Sequence, residues 1–456
     1  MPGERPLVVL IVDNPFRDLP GMVLVAMDLC QHGIDAALVP MNLQRSEVER
    51  LRPRFVLANY FRRNNARVIA DYLARGITVG VLDTEGGVIE SWPVYANLMP
   101  EDKTLAPRIA VWCSWGPRLA GMARDAGVFR TDQIAVTGAP RMDFYAPSLR
   151  AAAIAASPVQ DVDPRPLVLI NTNVPLANPR FQTASGEVDM FVRTFGYREE
   201  YVREWLERQT AAMHGLADVS HRLAGDFPEV RFVLRPHPFE ATETYLRLIP
   251  GRANLTVTKQ GTVDGWLLRS CALVQRSCST AIEARLIGLP ALSPSFVPPP
   301  CNAPVVESLS TPAADYDALR GMVAAAVAAA GTTRHGTPAA DPLIHDWFSV
   351  IDGQAHQRVG AAIRGHLDRP KRADLAAAAR SWVLQRTREL LKPSRRSREA
   401  WRKSEKNFDA ESVRKITAAV LAQSNLAPGL GESLEVSGSG ADSAAVLLRA
   451  RCAPAT

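Results

Sequence analysis

The stretch RPHPFE, residues 235–240, sets Arg235, His237 and Glu240 directly after the apolar run FVL. Prolines on both sides keep the histidine out of a helix interior and in a rigid turn. An imidazole at a strand exit can donate to a phosphate oxygen, with charge assistance when protonated. Arg235 either does the same or holds the loop, and Glu240 opens the next helix as a cap. The plain alternative is a histidine locked in a tight turn. A second chemical stretch, VQRSCSTAIEARLIGLP, ends a strand near Gln275 and sets Ser277, Ser279 and Thr280 before a helix that carries Glu283. Ser279 or Thr280 can cap that helix. Its free N–H groups and positive end also suit a phosphate, with the hydroxyls as added donors.

Three further strand exits carry polar groups. VLDTEGG supplies Asp83 and Glu85, then Gly86 and Gly87. The glycines allow a tight turn and close approach of a ligand. The two carboxylates either accept a proton there or solubilise an ordinary turn. VTGAPRMDF places Arg141 to meet an anion or to pair with Asp143. INTN places Asn171, Thr172 and Asn173 where short amides and hydroxyls serve either a ligand or the turn itself.

These residues need strands to position them. PLVVLIVD, IDAALVP, FVLANY, ITVGVLD, IAVWCSW and IAVTG read as buried strands separated by helical segments. Apolar strands alternating with helices predict a parallel sheet covered on both faces. The connector YAPSLRAAAIAASPVQDVDPRP breaks the rhythm. A second α/β series follows it, with strands LVLINTN, RFVLRPHP, LTVTKQ, CALVQRS and PALSPSF. The expected division is residues 1–155, residues 165–360 and a C-terminal extension, 361–456. That extension reads as basic helices followed by a mobile tail of small residues.

The 456 residues are 47% hydrophobic and 22% charged, an ordinary globular composition. The first apolar run is short and reads as a strand rather than a signal peptide. No window approaches the roughly 18 apolar residues of a membrane span. The six cysteines form no CxxC pair, which suits free thiols in a reducing compartment rather than a metal pair at Cys271 and Cys278. The net charge of +6 is local: residues 371–406 hold twelve Lys/Arg against four Asp/Glu, an excess of +8, so the remainder is near −2. Trp382, Leu390, Trp401 and Phe408 punctuate that basic run. It reads either as a helix packed on the domains or as a contact with an anionic membrane. Nucleic acid is a poor fit, since no reading motif accompanies the charge. There is no GxxxxGK[ST], no GxGxxG after the first strand, no GxSxG and no HExxH. Phosphate neutralisation is therefore assigned to amides, hydroxyls, His and Arg, with no metal and no cofactor.

The order VLDTEGG, WCSWG, VTGAPRMDF, LINTN, LRPHPFE, SCSTAIEARLIGLPAL resembles the bacterial surface carbohydrate biosynthesis proteins over roughly residues 5–360. These are glycosyltransferase-like proteins with two Rossmann-like domains facing across a cleft, the GT-B arrangement. More distant kin include sialyl- and Kdo-transferases, in which a His-Pro motif and a Ser-Ser/Thr motif bind the nucleotide phosphate. A carboxylate pair before a glycine supplies their acceptor-side base. His237-Pro238 is similar to the first motif and Ser279-Thr280 to the second. Glu85-Gly86 is similar to the end of the third, but Thr84 stands where a carboxylate belongs and Asp83 is displaced by one. Either Asp83 or Glu85 is thus the base. The resemblance implies a glycosyltransferase taking a nucleotide-activated sugar, CMP-linked by preference, to a glycan or lipid-linked acceptor. His237, Ser277, Ser279, Thr280 and Arg235 would hold the donor phosphate and Glu283 the ribose. It implies a cytoplasmic protein working at the inner membrane face. CDP-glycerol polymerising enzymes are similar in the His-Pro and hydroxyl-rich regions, which makes glycerophosphate transfer one alternative. A non-catalytic scaffold of an envelope pathway is another. UDP-N-acetylglucosamine 2-epimerases share the two-domain plan.

Overall fold

The computed structural model describes residues 5–89, 91–157, 163–249, 251–330, 341–367, 406–424, 426, 430, 433–440 and 443–450. The basic run from Lys371 lies outside these residues up to Lys406, and with it Trp382, Leu390 and Trp401. The chain divides into two compact units, Met1–Ala156 with Ala340–Thr456, and Ser157–Ala339.

In the first unit β1 (Leu7–Val12), β2 (Asp35–Pro40), β3 (Phe55–Ala58), β4 (Thr78–Leu82), β5 (Val111–Ser114) and β6 (Ile134–Val136) form a parallel sheet in the order β2-β1-β3-β4-β5-β6. Strands β1, β3, β4 and β5 are buried almost throughout, which is why they read as unbroken apolar runs. The second unit is a separate parallel sheet. Its strands are β7 (Leu167–Asn171), β8 (Arg231–Arg235), β9 (Leu255–Val257), β10 (Ala272–Gln275), β11 (Ala291–Pro294) and β12 (Thr311–Ala313). Their order is β9-β8-β7-β10-β11-β12. Each sheet reverses its winding once, between β1 and β3 in the first and between β7 and β10 in the second. The crevice at the carboxyl ends of such strands is where open α/β sheets bind ligands. Both units are therefore α/β and Rossmann-like, as the strand pattern predicts. No helix among the described residues is long and apolar enough to cross a membrane.

The C-terminal part differs from expectation. It is neither a helical extension beginning at 361 nor wholly a mobile tail. Helices Pro342–Phe348, Ala355–Arg364 and Ala410–Gln423 belong to the first unit. β13 (Leu434–Gly438) and β14 (Val446–Ala450) extend its sheet, β14 running antiparallel against β2. The physical reason lies in helix Leu19–Gln31, whose residues Leu19 to Cys30 are all buried. A helix with no polar face needs cover on every side. Helices Ala355–Arg364 and Ala410–Gln423 and strand β14 pack against it. Asp28, the one charge buried in that helix, is met by Arg364. Trp347 brings its backbone against Gly116, where any Cβ would collide with it.

Leu448 in β14 is fully buried. Leu448→Ala is expected to lower the unfolding free energy by about 2–5 kcal/mol in urea titration. A change within about 0.5 kcal/mol, as at an exposed site, would mean that the tail does not pack.

Candidate functional site

In the first unit the turn after β4 separates the two acidic candidates. Asp83 is 1% exposed. It accepts from Arg62 at 3.0 Å, from the Tyr95 hydroxyl at 2.7 Å and from the Glu85 N–H at 2.8 Å. Burial pushes its carboxyl up, against the pull of Arg62 and Tyr95. Glu85 is 52% exposed at its side chain and takes Arg62 at 2.7 Å and Arg17 at 3.7 Å. Burial of its inner part pushes this carboxyl up, but Arg62 and Arg17 outweigh it and hold it below the ordinary value. Of the pair, Glu85 alone has an open carboxylate; Asp83 anchors Arg62 and the turn. Gly86 and Gly87 do allow a close approach, to the Trp115 ring rather than to open space, since a Cβ on either would lie 3.2–3.3 Å from that ring.

Arg141 does not pair with Asp143. Asp143 turns inward and accepts from Ala355 N–H, His356 N–H and His356 Nδ1 at 2.8–2.9 Å. The Arg141 guanidinium lies 4.9 Å over the Trp115 ring, a cation–π contact.

In the second unit β7 lies between β8 and β10, so three predicted loops meet at one edge. Glu240 fastens two of them. It is fully buried and accepts from Thr172 Oγ1 at 2.8 Å, Val174 N–H at 2.8 Å and the Tyr245 hydroxyl at 2.7 Å. It is a cross-brace between the exits of β7 and β8, not a helix cap. Asn173 ties the exit of β7 to that of β10 by donating to the Ser277 carbonyl at 3.0 Å. Thr172 and Asn173 are thus spent on the framework, and Asn171 is buried beside them. Arg235 is buried and donates to the Gly261 carbonyl at 2.8 Å, which makes it a loop holder.

Ser277 adopts φ 51°, a strained conformation for a residue with a Cβ. Its N–H and its hydroxyl both donate to Glu307, which also receives Arg276 and Ser293. The Ser277 hydroxyl is therefore not presented to a ligand. Ser279 is exposed, and although it stands at the N-cap of helix Thr280–Leu286 its side chain makes no capping bond. The Thr280 hydroxyl meets Cys278 Sγ at 3.2 Å. Glu283 is 6% exposed, further from solvent than a ribose contact suggests. His237 is half-buried, and its Nδ1 accepts from the Phe239 N–H at 3.3 Å. That bond leaves the proton of the neutral ring on Nε2, the correct tautomer for donating to an anion. A cavity of about 520 Å³ on this unit is lined by Pro166, Leu167, Ser270 and Cys271 at the amino ends of β7 and β10, the wrong edge for this site.

Sequence reading missed Arg17, Arg62, Tyr95 and Glu307. All four act on residues distant in sequence, and no local spacing signals them.

The chain is thus a two-unit α/β protein whose polar groups gather at the carboxyl edges of two parallel sheets. No family model matches it, and no curated protein does. Among solved structures it is similar to a putative UDP-N-acetylglucosamine 2-epimerase from Listeria monocytogenes, at 13% identity and a TM-score of 0.49 over 81% of this chain and 99% of that one. It is also similar to the UDP-GlcNAc 2-epimerase from Neisseria meningitidis, at 12% identity and 0.44 over 80% and 100%. A wall teichoic acid polymerase matches at 13% identity and 0.44 over 79% and 88%.

Glu240 gives a test of the framework. Burial holds its folded carboxyl above the ordinary value of 4.5, despite the donors around it. The protonated form is therefore the one that folding favours. That contribution is complete below the unfolded pKa and is lost as pH rises through the folded one. Urea titrations across pH should show wild-type stability falling relative to Glu240→Gln through that window. Glu240→Ala strands three donors and is expected to cost on the order of 3 kcal/mol.

Proposed function

We propose that the chain is a glycosyltransferase whose second unit binds a nucleotide-activated sugar, CMP-linked by preference, for transfer to a surface-glycan or lipid-linked acceptor. The observation that carries this reading is where His237 stands: half-buried at the exit of β8, beside loops braced by Glu240, Asn173 and Glu307, with its Nδ1 accepting from the Phe239 N–H. Ser279, with a hydroxyl that caps nothing, stands at an exit of the same sheet edge. Donors held in place where charge develops on a leaving phosphate lower the barrier without reorganisation. Glu85 is the acceptor-side base, because its carboxylate is exposed and ionised. Asp83 is a positioning residue that holds Arg62 against Glu85. The order of the His-Pro, hydroxyl and Glu-Gly words supports the donor class, and the choice of CMP rests on that resemblance.

Calorimetry with CMP, CDP and UDP tests the donor site. CMP should bind, and His237→Ala should weaken it about 10- to 100-fold, the worth of one hydrogen bond to a charged group. No binding of any of the three at millimolar concentration overturns the reading. In turnover with a CMP-sugar and a glycan acceptor, Glu85→Gln should lower kcat about 10²- to 10⁴-fold. The mass gained by the acceptor must be a sugar without phosphorus; phosphorus gained means glycerophosphate-type transfer instead.

A further inference from the structure

A small cavity opens in the first unit at the carboxyl ends of β1, β3 and β4, in the crevice where that sheet reverses its winding. Its floor is apolar, with Ile11, Leu57 and Leu82. Its remaining lining includes Asn59, Thr84, Trp115 and Arg141. Each of these four buries one polar atom with no hydrogen-bond partner: Asn59 Oδ1, Thr84 Oγ1, Trp115 Nε1 and Arg141 Nε. Asn59, Thr84 and Trp115 are 2%, 8% and 3% exposed. Buried polar atoms are ordinarily paired, so four unmet ones around one crevice point to something that meets them.

Their chemistry limits what that is. Trp115 Nε1 and Arg141 Nε can only donate, Thr84 Oγ1 can do either, and Asn59 Oδ1 accepts. The cation adds a charge requirement. Among the described residues no carboxylate contacts Arg141: Asp143 is taken by the helix beginning at Ala355, and Glu85, which feels the Arg141 charge, is contacted by Arg62 and Arg17 instead. The two carboxylates that line the cavity are already matched, Asp18 by Arg17 and Asp83 by Arg62. The receptor is also rigid. Gly21 lets helix Leu19–Gln31 come so close to the Pro140–Arg141 backbone that a Cβ there would lie 2.5 Å from Arg141 N. Stacking on Trp115 fixes the guanidinium plane.

We propose that this crevice is a binding subsite for an oxyanion that carries a neighbouring hydroxyl, the hydroxy-carboxylate or hydroxyalkyl-phosphate end of an acidic acceptor. Arg141 and Trp115 donate to the anion, and the hydroxyl meets Asn59 Oδ1 and Thr84. The enclosed space, about 20 Å³, is that of one or two water-sized atoms, so it takes only the oxygens that meet these four atoms and leaves the rest of the molecule outside the crevice. The binding site stands on its own geometry; only its assignment to an acceptor rests on the glycosyl-transfer reading.

The test uses the full chain with glycerate, glycerol 3-phosphate and neutral glycerol as probes in saturation-transfer NMR titrations. At least one anion should bind in the millimolar range, at least ten-fold more tightly than glycerol, and which one does so separates carboxylate from phosphate. Arg141→Gln should remove that preference, and Arg141→Lys should restore only part of it, because a lysine keeps the charge but lacks the fork. Thr84→Val should weaken binding about five-fold without lowering the unfolding midpoint, since it removes a buried hydroxyl that has no partner in the free protein. Thermal unfolding of each variant guards against loss of fold. If both anions bind no better than glycerol, water alone fills the crevice and the proposal fails. It fails equally if Arg141→Gln binds like wild type. Nucleotide calorimetry is a separate measurement. Arg141-dependent anion binding without nucleotide binding keeps this site and removes the glycosyl-transfer reading; the reverse removes this site alone.

Discussion

The carboxylate of Asp143 ties the first unit together. It accepts two backbone N–H groups at the start of helix Ala355–Arg364 and the His356 ring nitrogen, with Asp143 1% and His356 4% exposed. The first turn of any helix has N–H groups without partners, and a carboxylate is a strong acceptor for them. This one comes from a segment more than two hundred residues away, so it determines where the returning chain docks. The docked helix covers Leu19–Gln31, which has no solvent face of its own. Gly138 permits the same contact, because a Cβ there would lie 3.0 Å from Ala355. By taking Asp143 inward the arrangement also deprives Arg141 of its nearest acidic neighbour in sequence.

Carboxylates play the same part at other strand exits, two of them buried (Asp83, Glu240) and one partly covered (Glu307). Asp83 braces the turn after β4, Glu240 joins the exits of β7 and β8, and Glu307 holds the strained Ser277 after β10. Loop backbone leaving a sheet has N–H groups that no strand partner meets, and each needs an acceptor if it is buried. A carboxylate can accept several donors at once, at the cost of desolvating its charge. The shift of Asp83 and Glu240 toward the protonated form is the mark of that cost. Glu85 and Ser279, whose side chains are exposed, stand at the surface of a framework that those acids make stiff.

The strands were the legible part of the chain. β1 to β11 each appear as an apolar run; for the inner strands the cause is a parallel sheet buried on both faces, while the edge strands β6 and β9 are only partly covered. β12 and β13 escaped as edge strands, and β14 because its place between β13 and β2 depends on partners far away in sequence. The return of the C-terminal part to the first unit was written in Leu19–Cys30, a helical run too apolar to be covered by a sheet on one side alone, but the run does not name its cover. At the sites, residue types at strand exits were legible and their roles were not. Asp83 and Glu85 look equivalent two residues apart, and only the three-dimensional neighbourhood of Arg62 and Tyr95 buries one and leaves the other open. Ser277, Ser279 and Thr280 read as three like hydroxyls, yet Glu307, thirty residues on, takes the first.

Glu85 shows what such a framework means for chemistry. Two guanidinium groups hold its carboxyl below the ordinary value, so it is ionised well into acid. The same charges make it a weak base. A weak base cannot deprotonate a sugar hydroxyl, itself a very weak acid, in advance of reaction. On the proposed reading it takes the proton as the bond to the anomeric carbon forms and the hydroxyl becomes acidic. Most of the barrier must then be lowered at the leaving phosphate, by donors fixed before the charge appears. A protein built this way invests its rigidity around the phosphate rather than in a strong base, and the bracing by Glu240, Asn173 and Glu307 of the loops leaving β7, β8 and β10 is where that rigidity lies.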